Sequence, residues 1–123
     1  MKQSTTSIGR RAEAATAQYL SDYFKLKLLQ QNWRNRYAEI DLIMQHKKTK
    51  QLHFIEVKYR QSISRGDGLA MITPKKYQQL LFAAQQYLQD FEVEQSCQID
   101  VIAVSGESPN FSFDYRPASV ETS

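Results

Sequence analysis

The chain has 123 residues, 41% of them hydrophobic, with 16 Lys and Arg against 13 Asp and Glu; that suffices for one core of a few packed layers and is too apolar for a disordered chain. No run approaches the roughly 18 apolar residues that span a bilayer, and the first residues lack the apolar centre of a signal peptide, so a cytoplasmic protein without membrane contact is expected. The lone Cys97 excludes an internal disulfide and reads as a small buried side chain. Charge is uneven: residues 1–90 hold 15 Lys or Arg against 7 Asp or Glu, and residues 91–123 hold 1 against 6. The basic part is compatible with a polyanion such as nucleic acid, although a solvated surface helix with Lys and Arg is the commoner cause of such asymmetry.

Residues 7–24 read as an amphipathic helix capped by Thr6 or Ser7, with Ile8, Ala12, Ala15, Tyr19 and Tyr23 on its apolar stripe and Leu20 widening it. Glu13 lies at the stripe's margin; by position alone it reads as an early carboxylate that complements the helix dipole. Residues 25–34, with Leu26, Leu28, Leu29 and Trp33, read as a strand, and Asn32 to Arg36 as a turn. From Tyr37 to Gln45 the pattern alternates, placing Ile40, Leu42 and Met44 on one face and Glu39, Asp41 and Ile43 on the other. A polar run to Gln51 closes a hairpin onto Leu52–Arg60, in which Phe54, Glu56 and Lys58 share one face and Ile55 and Val57 the other. His46 and His53 have no second His or Cys at ligand spacing and read as satisfied or exposed histidines.

Gln61 to Gly68 is a loop. Thr73-Pro74 then caps a helix whose stripe is Tyr77, Leu80, Leu81, Ala84, Leu88 and Phe91. Lys75 and Lys76 in its first turn oppose the helix dipole, which hints at an anionic partner. Residues 97–104 form an apolar, β-branched strand, and Phe111, Phe113 and Tyr115 give a last strand with one aromatic face. The expected order is α-β-β-β-α-β-β in a single domain over residues 1–117, followed by a disordered tail, 118–123. The class is α/β, with an α+β mixed sheet.

A carboxylate and an ammonium on one strand face are either an ion pair at a sheet edge or part of a site that binds charge. Asp41 on the neighbouring strand favours the site: two converging carboxylates repel and favour a divalent cation such as Mg²⁺ between them, with the Val57 carbonyl as a third ligand and Glu13 as a fourth. Lys58 is then placed to orient or deprotonate a water, or to steady charge on a phosphate. Such a set suits metal-assisted phosphodiester hydrolysis.

The segments Ala38-Glu39-Ile40-Asp41-Leu42-Ile43 and Phe54-Ile55-Glu56-Val57-Lys58-Tyr59-Arg60, with Gly9, Glu13, Asn32, Arg34 and Asp100, resemble the YraN family of bacterial proteins across about residues 7–104. That family resembles a branch of the restriction-endonuclease-like, or PD-(D/E)xK, superfamily close to archaeal Holliday-junction resolvases. The resemblance implies a restriction-endonuclease-like core, with Asp41 and Glu56 as metal ligands, Lys58 as the catalytic lysine and Glu13 as the helix acid. It also implies Mg²⁺ or Mn²⁺ as cofactor, branched DNA as substrate and, since resolvase-like enzymes generally pair, a homodimer. The chain departs from the family where Ala12 and Ala38 replace glycines, where only Gly66 and Gly68 represent a Gly-rich segment, and where Gln98 stands at a common arginine position. Three functions follow as expectations: a metal-dependent nuclease, a catalytically silent nucleic-acid-binding module contacting phosphates through Arg34, Arg36, Arg60, Arg65, Lys75 and Lys76, or a protein-interaction domain.

Overall fold

The computed structural model describes residues 2–60 and 72–122, with side chains from residue 7 to residue 117. The order is α1 (Lys2–Phe24), β1 (Leu26–Arg34), β2 (Glu39–His46), β3 (Leu52–Arg60), α2 (Pro74–Asp90), β4 (Cys97–Glu107) and β5 (Asn110–Thr122), the α-β-β-β-α-β-β order expected. One five-stranded sheet runs β1-β2-β3-β4-β5. All neighbours are antiparallel except β3 and β4, which are parallel. A parallel pair cannot be joined by a tight turn, and the connection between these two carries α2.

Each face of the sheet buries a cluster. Beneath α2 lie Ile40, Ile43, Leu52, Phe54, Cys97 and Ile99 against Leu80, Ala83, Ala84 and Tyr87; beneath α1 lie Leu26, Leu42, Met44, Ile55, Ile102 and Val104 against Ala12 and Leu20. Cys97 is buried, as expected of a lone thiol. Thr73 caps α2, its hydroxyl accepting from the Lys76 N–H at 3.1 Å, and Pro74 occupies the first turn. The buried line on α2 is Leu80, Ala83, Ala84 and Tyr87, and Phe91, placed on the stripe by spacing, is 52% exposed because the helix ends at Asp90.

α1 differs from the sequence reading in start and phase. It begins at Lys2, not near Ser7, and its buried line is Ala12, Thr16 and Leu20, with Tyr23 73% exposed. Thr16 is accommodated by donating its hydroxyl to the Ala12 carbonyl at 2.7 Å. Tyr19 lies at the margin, stacked on Phe113 of β5 with centroids 4.3 Å apart. Because the helix starts at Lys2, Glu13 sits three turns in, and the dipole reading of it falls.

β1 extends to Arg34, and the turn follows at Asn35 to Ala38, where the Asn35 Oδ1 accepts from the N–H groups of Tyr37 (2.9 Å) and Ala38 (3.3 Å). A bulge interrupts β1 between Leu28 and Gln30, and Asn32 is left-handed at φ 53 with no ladder partner opposite it. Strict alternation in β2 fails at the same level: Leu42 and Met44 pack under α1, but Ile40 joins Ile43 under α2. The expectation that Ile40 shares a face with Leu42 is corrected by this irregularity, which falls at Asp41. The β2–β3 connection is closed by His46, whose Nδ1 accepts from the N–H groups of Lys48 and Thr49.

β4 and β5 form a tight hairpin at Ser108–Pro109, joined by a cis peptide. Gly106 has φ +98, and a Cβ there would meet the Asn110 carbonyl oxygen at 2.7 Å, so only glycine fits. Past Pro117, where the sequence reading starts a disordered tail, β5 continues to Thr122 by pairing Val120 with Ile99 and Thr122 with Cys97. The expected loop from Gln61 to Gly68, with Arg65, Gly66 and Gly68, lies outside the described residues.

Candidate active site

The β2–β3 ladder runs from Gln45 opposite Leu52 to Leu42 opposite Ile55 and stops there. The next pair in register is Asp41 and Glu56. Instead of a backbone bond, the Asp41 carboxylate continues the connection, its Oδ2 accepting from the Val57 N–H at 2.8 Å. A side chain thus takes the place of a ladder bond where two central strands part, and it sits beside the α1 residue Glu13.

Three acids from three elements meet at this fork. Burial pushes Asp41 up to about 7, helped by the charges of Glu56, Glu13 and Glu39 and opposed by the Val57 N–H. Glu56 is raised by burial, with Lys76 and Lys58 pulling it down and Glu39 and Glu13 pushing it up. Burial likewise raises Glu13, against the amides of Asn32 and Gln31. Its Oε1 is buried and, among the described residues, has no hydrogen-bond partner. A buried, unpartnered carboxylate oxygen costs free energy, and among the described residues it is the only buried side-chain polar atom left so.

Lys58, two residues after Glu56, follows it onto the same strand face, and its Nζ lies 3.9 Å from Glu56 Oε2. Lys76 from the first turn of α2 places its Nζ 4.0 Å from the same oxygen. Both distances exceed hydrogen-bond length, so the lysines neutralise Glu56 without holding it in one geometry. The anionic partner that the cations of this first turn hinted at is, for Lys76, within the chain.

The structure therefore brings Glu13, Asp41, Glu56 and Lys58 together, and with them Lys76, which the sequence placed only among phosphate contacts. Of the remaining basic residues, Arg34 donates to Glu39 at 3.0 Å and brings a guanidinium to the edge of the site. Arg36 donates to the Tyr37 hydroxyl and lies 5.1 Å from that ring's centroid. Arg60 donates to the Tyr59 carbonyl, Lys75 is exposed, and Arg65 lies outside the described residues. No group of three or more His, Cys, Asp or Glu side chains converges on one metal position among the described residues: Asp41 turns to Val57 and Glu56 to the lysines. What fits a hard divalent cation is the donor type, all oxygen, together with the excess of acids and the unpartnered Glu13 oxygen. Asn32 and Gln31 were missed as groups bearing on Glu13; a left-handed asparagine inside a strand leaves no trace in an alternation pattern.

Asp100 and Gln98 lie apart from this fork, on the parallel partner strand. Asp100 is 0% exposed, with His53 Nδ1 at 2.7 Å and donors in the Tyr115 hydroxyl at 2.5 Å and the Gln98 amide at 2.8 Å. Gln98 thus serves the carboxylate as a neutral donor. Both histidines are satisfied, as the sequence implied.

The family model described as "Uncharacterised protein family UPF0102", the YraN family, matches residues 12–104. UPF0102 proteins of Stutzerimonas stutzeri (39% identity, covering 85% of this chain and 86% of the relative), Methylococcus capsulatus (40%, 79% and 76%) and Nitrosococcus oceani (41%, 80% and 79%) are similar along most of their length. No helix among the described residues is long and apolar enough to cross a membrane.

Proposed function

We propose that this chain, which belongs to the UPF0102 family, is a metal-dependent nuclease that hydrolyses phosphodiester bonds in a DNA structure such as a branched junction. The observation that carries the reading is the fork itself, where three acids are gathered under mutual repulsion at the parting of β2 and β3, with two lysines beside them. Its likeness to the PD-(D/E)xK pattern supports the same assignment.

Asp41 and Glu56 would hold the Mg²⁺ or Mn²⁺ ion. The N–H and C=O of one strand residue point to the same edge, so the Val57 carbonyl faces the side on which Asp41 accepts its N–H. Glu13 offers its unpartnered oxygen from the opposite layer. When bound, the ion supplies Lewis acidity and a water of lowered pKa. Lys58 and Lys76 set two ammonium groups beside Glu56, where they attract the substrate phosphate and offset charge that grows on its oxygens. The Val57 N–H fixes the rotamer of Asp41, which orients the carboxylate before substrate arrives.

Cleavage of branched, flapped and linear DNA with Mg²⁺ or Mn²⁺ tests this. Wild type should cut at least one of them, and Asp41→Ala should reduce the rate by about 10²–10³-fold or more, the scale of losing one electrostatic contributor. No cutting by wild type across the panel, or cutting that survives Asp41→Ala, sinks the proposal. A second reading, a catalytically silent nucleic-acid-binding module, is favoured by the neutralisation of Glu56 by two lysines. It predicts salt-sensitive binding of the same DNA without cleavage.

A further inference from the structure

On the other face of β3 from Lys58, a cavity of about 280 Å³ opens between α1 and the β4–β5 hairpin, lined by Ile8, Arg11, Tyr59, Glu107, Ser108 and Phe111. We infer that this cavity is a subsite for one unpaired nucleobase of the bound nucleic acid, stacked on Phe111 with its edge against Tyr59, beside the phosphodiester site. The inference rests on the nuclease reading for the identity of the strand, and on four features of the cavity for the base.

Shape is the first. The rings of Tyr59 and Phe111 stand at 86° with centroids 6.2 Å apart, forming a corner in which a planar heterocycle can lie on one ring and set its edge against the other. The volume lies just below the range of ligand pockets, roughly 300–1,000 Å³, and suits a single heterocycle rather than a duplex groove. Rigidity is the second. The Tyr59 hydroxyl donates to the Gly106 carbonyl at 2.6 Å, and Gly106 is held by the close approach of Asn110. The wall is therefore fixed before any ligand arrives, which limits the entropy lost on stacking.

The third feature is charge. Arg11, exposed on α1, brings a guanidinium to the rim, where the phosphate attached to a buried base would lie. The Glu107 carboxylate, also on the lining, repels phosphate and so leaves the Arg11 side of the rim to the backbone. The fourth is position. Tyr59 follows Lys58, and successive side chains of a strand leave from opposite faces. A polynucleotide crossing the C-terminal end of β3 meets the lysine on one side and the cavity on the other. Every base has a π-face, so such a pocket selects for an unpaired nucleotide and not for sequence.

The test uses the full chain in EDTA, so that no cleavage occurs, with a short single strand carrying 2-aminopurine and its fully paired duplex. Wild type should bind the single strand more tightly than the duplex and quench the 2-aminopurine. Phe111→Leu, which keeps an apolar side chain without a π-face, should weaken single-strand binding about tenfold, leave duplex binding unchanged and abolish quenching. Phe111→Trp should restore both. Arg11→Ala, at an exposed position that folding does not need, should lower the slope of log affinity against log salt by about 0.7 for the single strand. Circular dichroism melts confirm that each variant is folded. Equal single-strand affinity for wild type, Phe111→Leu and Arg11→Ala with no quenching overturns the inference, and if cleavage of branched DNA persists, the nuclease reading survives it. Binding of neither DNA form overturns the inference too, while the fate of the nuclease reading is read independently from the cleavage panel.

Discussion

One buried carboxylate on β4, Asp100, and the three acids at the β2–β3 fork are treated in opposite ways. Asp100 is sealed from water but receives a hydroxyl from Tyr115 and an amide from Gln98, and lies against His53. Glu13, Asp41 and Glu56 are less buried, yet burial and neighbouring acids raise the pKa of each, Glu39 acting on all three, and Glu13 keeps an oxygen that has no partner among the described residues. Burial alone therefore does not mark a functional acid. What separates the two groups is whether the fold supplies donors for the charge or crowds it with more acids.

If the contrast is sound, removing Asp100 should do the greater damage to stability. Asp100→Ala leaves Tyr115, Gln98 and His53 facing an apolar gap, and a loss of about 3 kcal/mol is expected, seen as a fall of roughly 10 °C in Tm. A Tm within about 2 °C of wild type would erase the distinction. Tyr115→Phe removes one donor and should cost about 1–2 kcal/mol in urea unfolding. Its phenol is raised by burial and by Asp100, so Tyr115 itself should stay protonated in the native protein at pH 10, and the 295 nm absorbance at that pH should be the same for Tyr115→Phe as for wild type.

The smallest and most discriminating change has the opposite sign. Asp41 is raised to about 7 in the fold, above its ordinary value of 3.8. Between those values the native state holds a proton that the unfolded chain has released, so stability falls as pH rises through this window. Asp41→Asn keeps an acceptor for the Val57 N–H and removes the charge. It should stabilise the protein by about 1–2 kcal/mol at pH 8 and by little at pH 4. Urea midpoints at the two pH values give the answer, and a gain that is equal at both would show that the buried, crowded charge of Asp41 is not its cause.

Much of this arrangement was legible in the sequence because it is local. Thr73-Pro74 fixed the start of α2, the polar run after Gln45 fixed the hairpin, and the two-residue step from Glu56 to Lys58 fixed their shared face. The phase of α1 was not legible, because alanine and threonine bury well but signal weakly, while Tyr19 and Tyr23 advertise a stripe and one of them is exposed. The approach of Lys76 to Glu56 depends on the crossover that carries α2, and the setting of Asp100 on residues from three strands. No periodicity encodes such meetings. Asp41 and Glu56 could be paired from the hairpin, but the end of the ladder beneath them could not, since the irregularity lies in Asn32 and the break in alternation at Ile40.

That irregularity in β1 also bears on how the molecule lives in a crowded solution. β1 is an edge strand with Leu28 and Leu29 exposed, the kind of border along which another chain can add itself and begin an aggregate. Its bulge at Leu28/Gln30 and left-handed Asn32 interrupt the straight run of backbone donors and acceptors that such templating needs. The kink that lies across from Asp41 thus also guards the open border of the sheet.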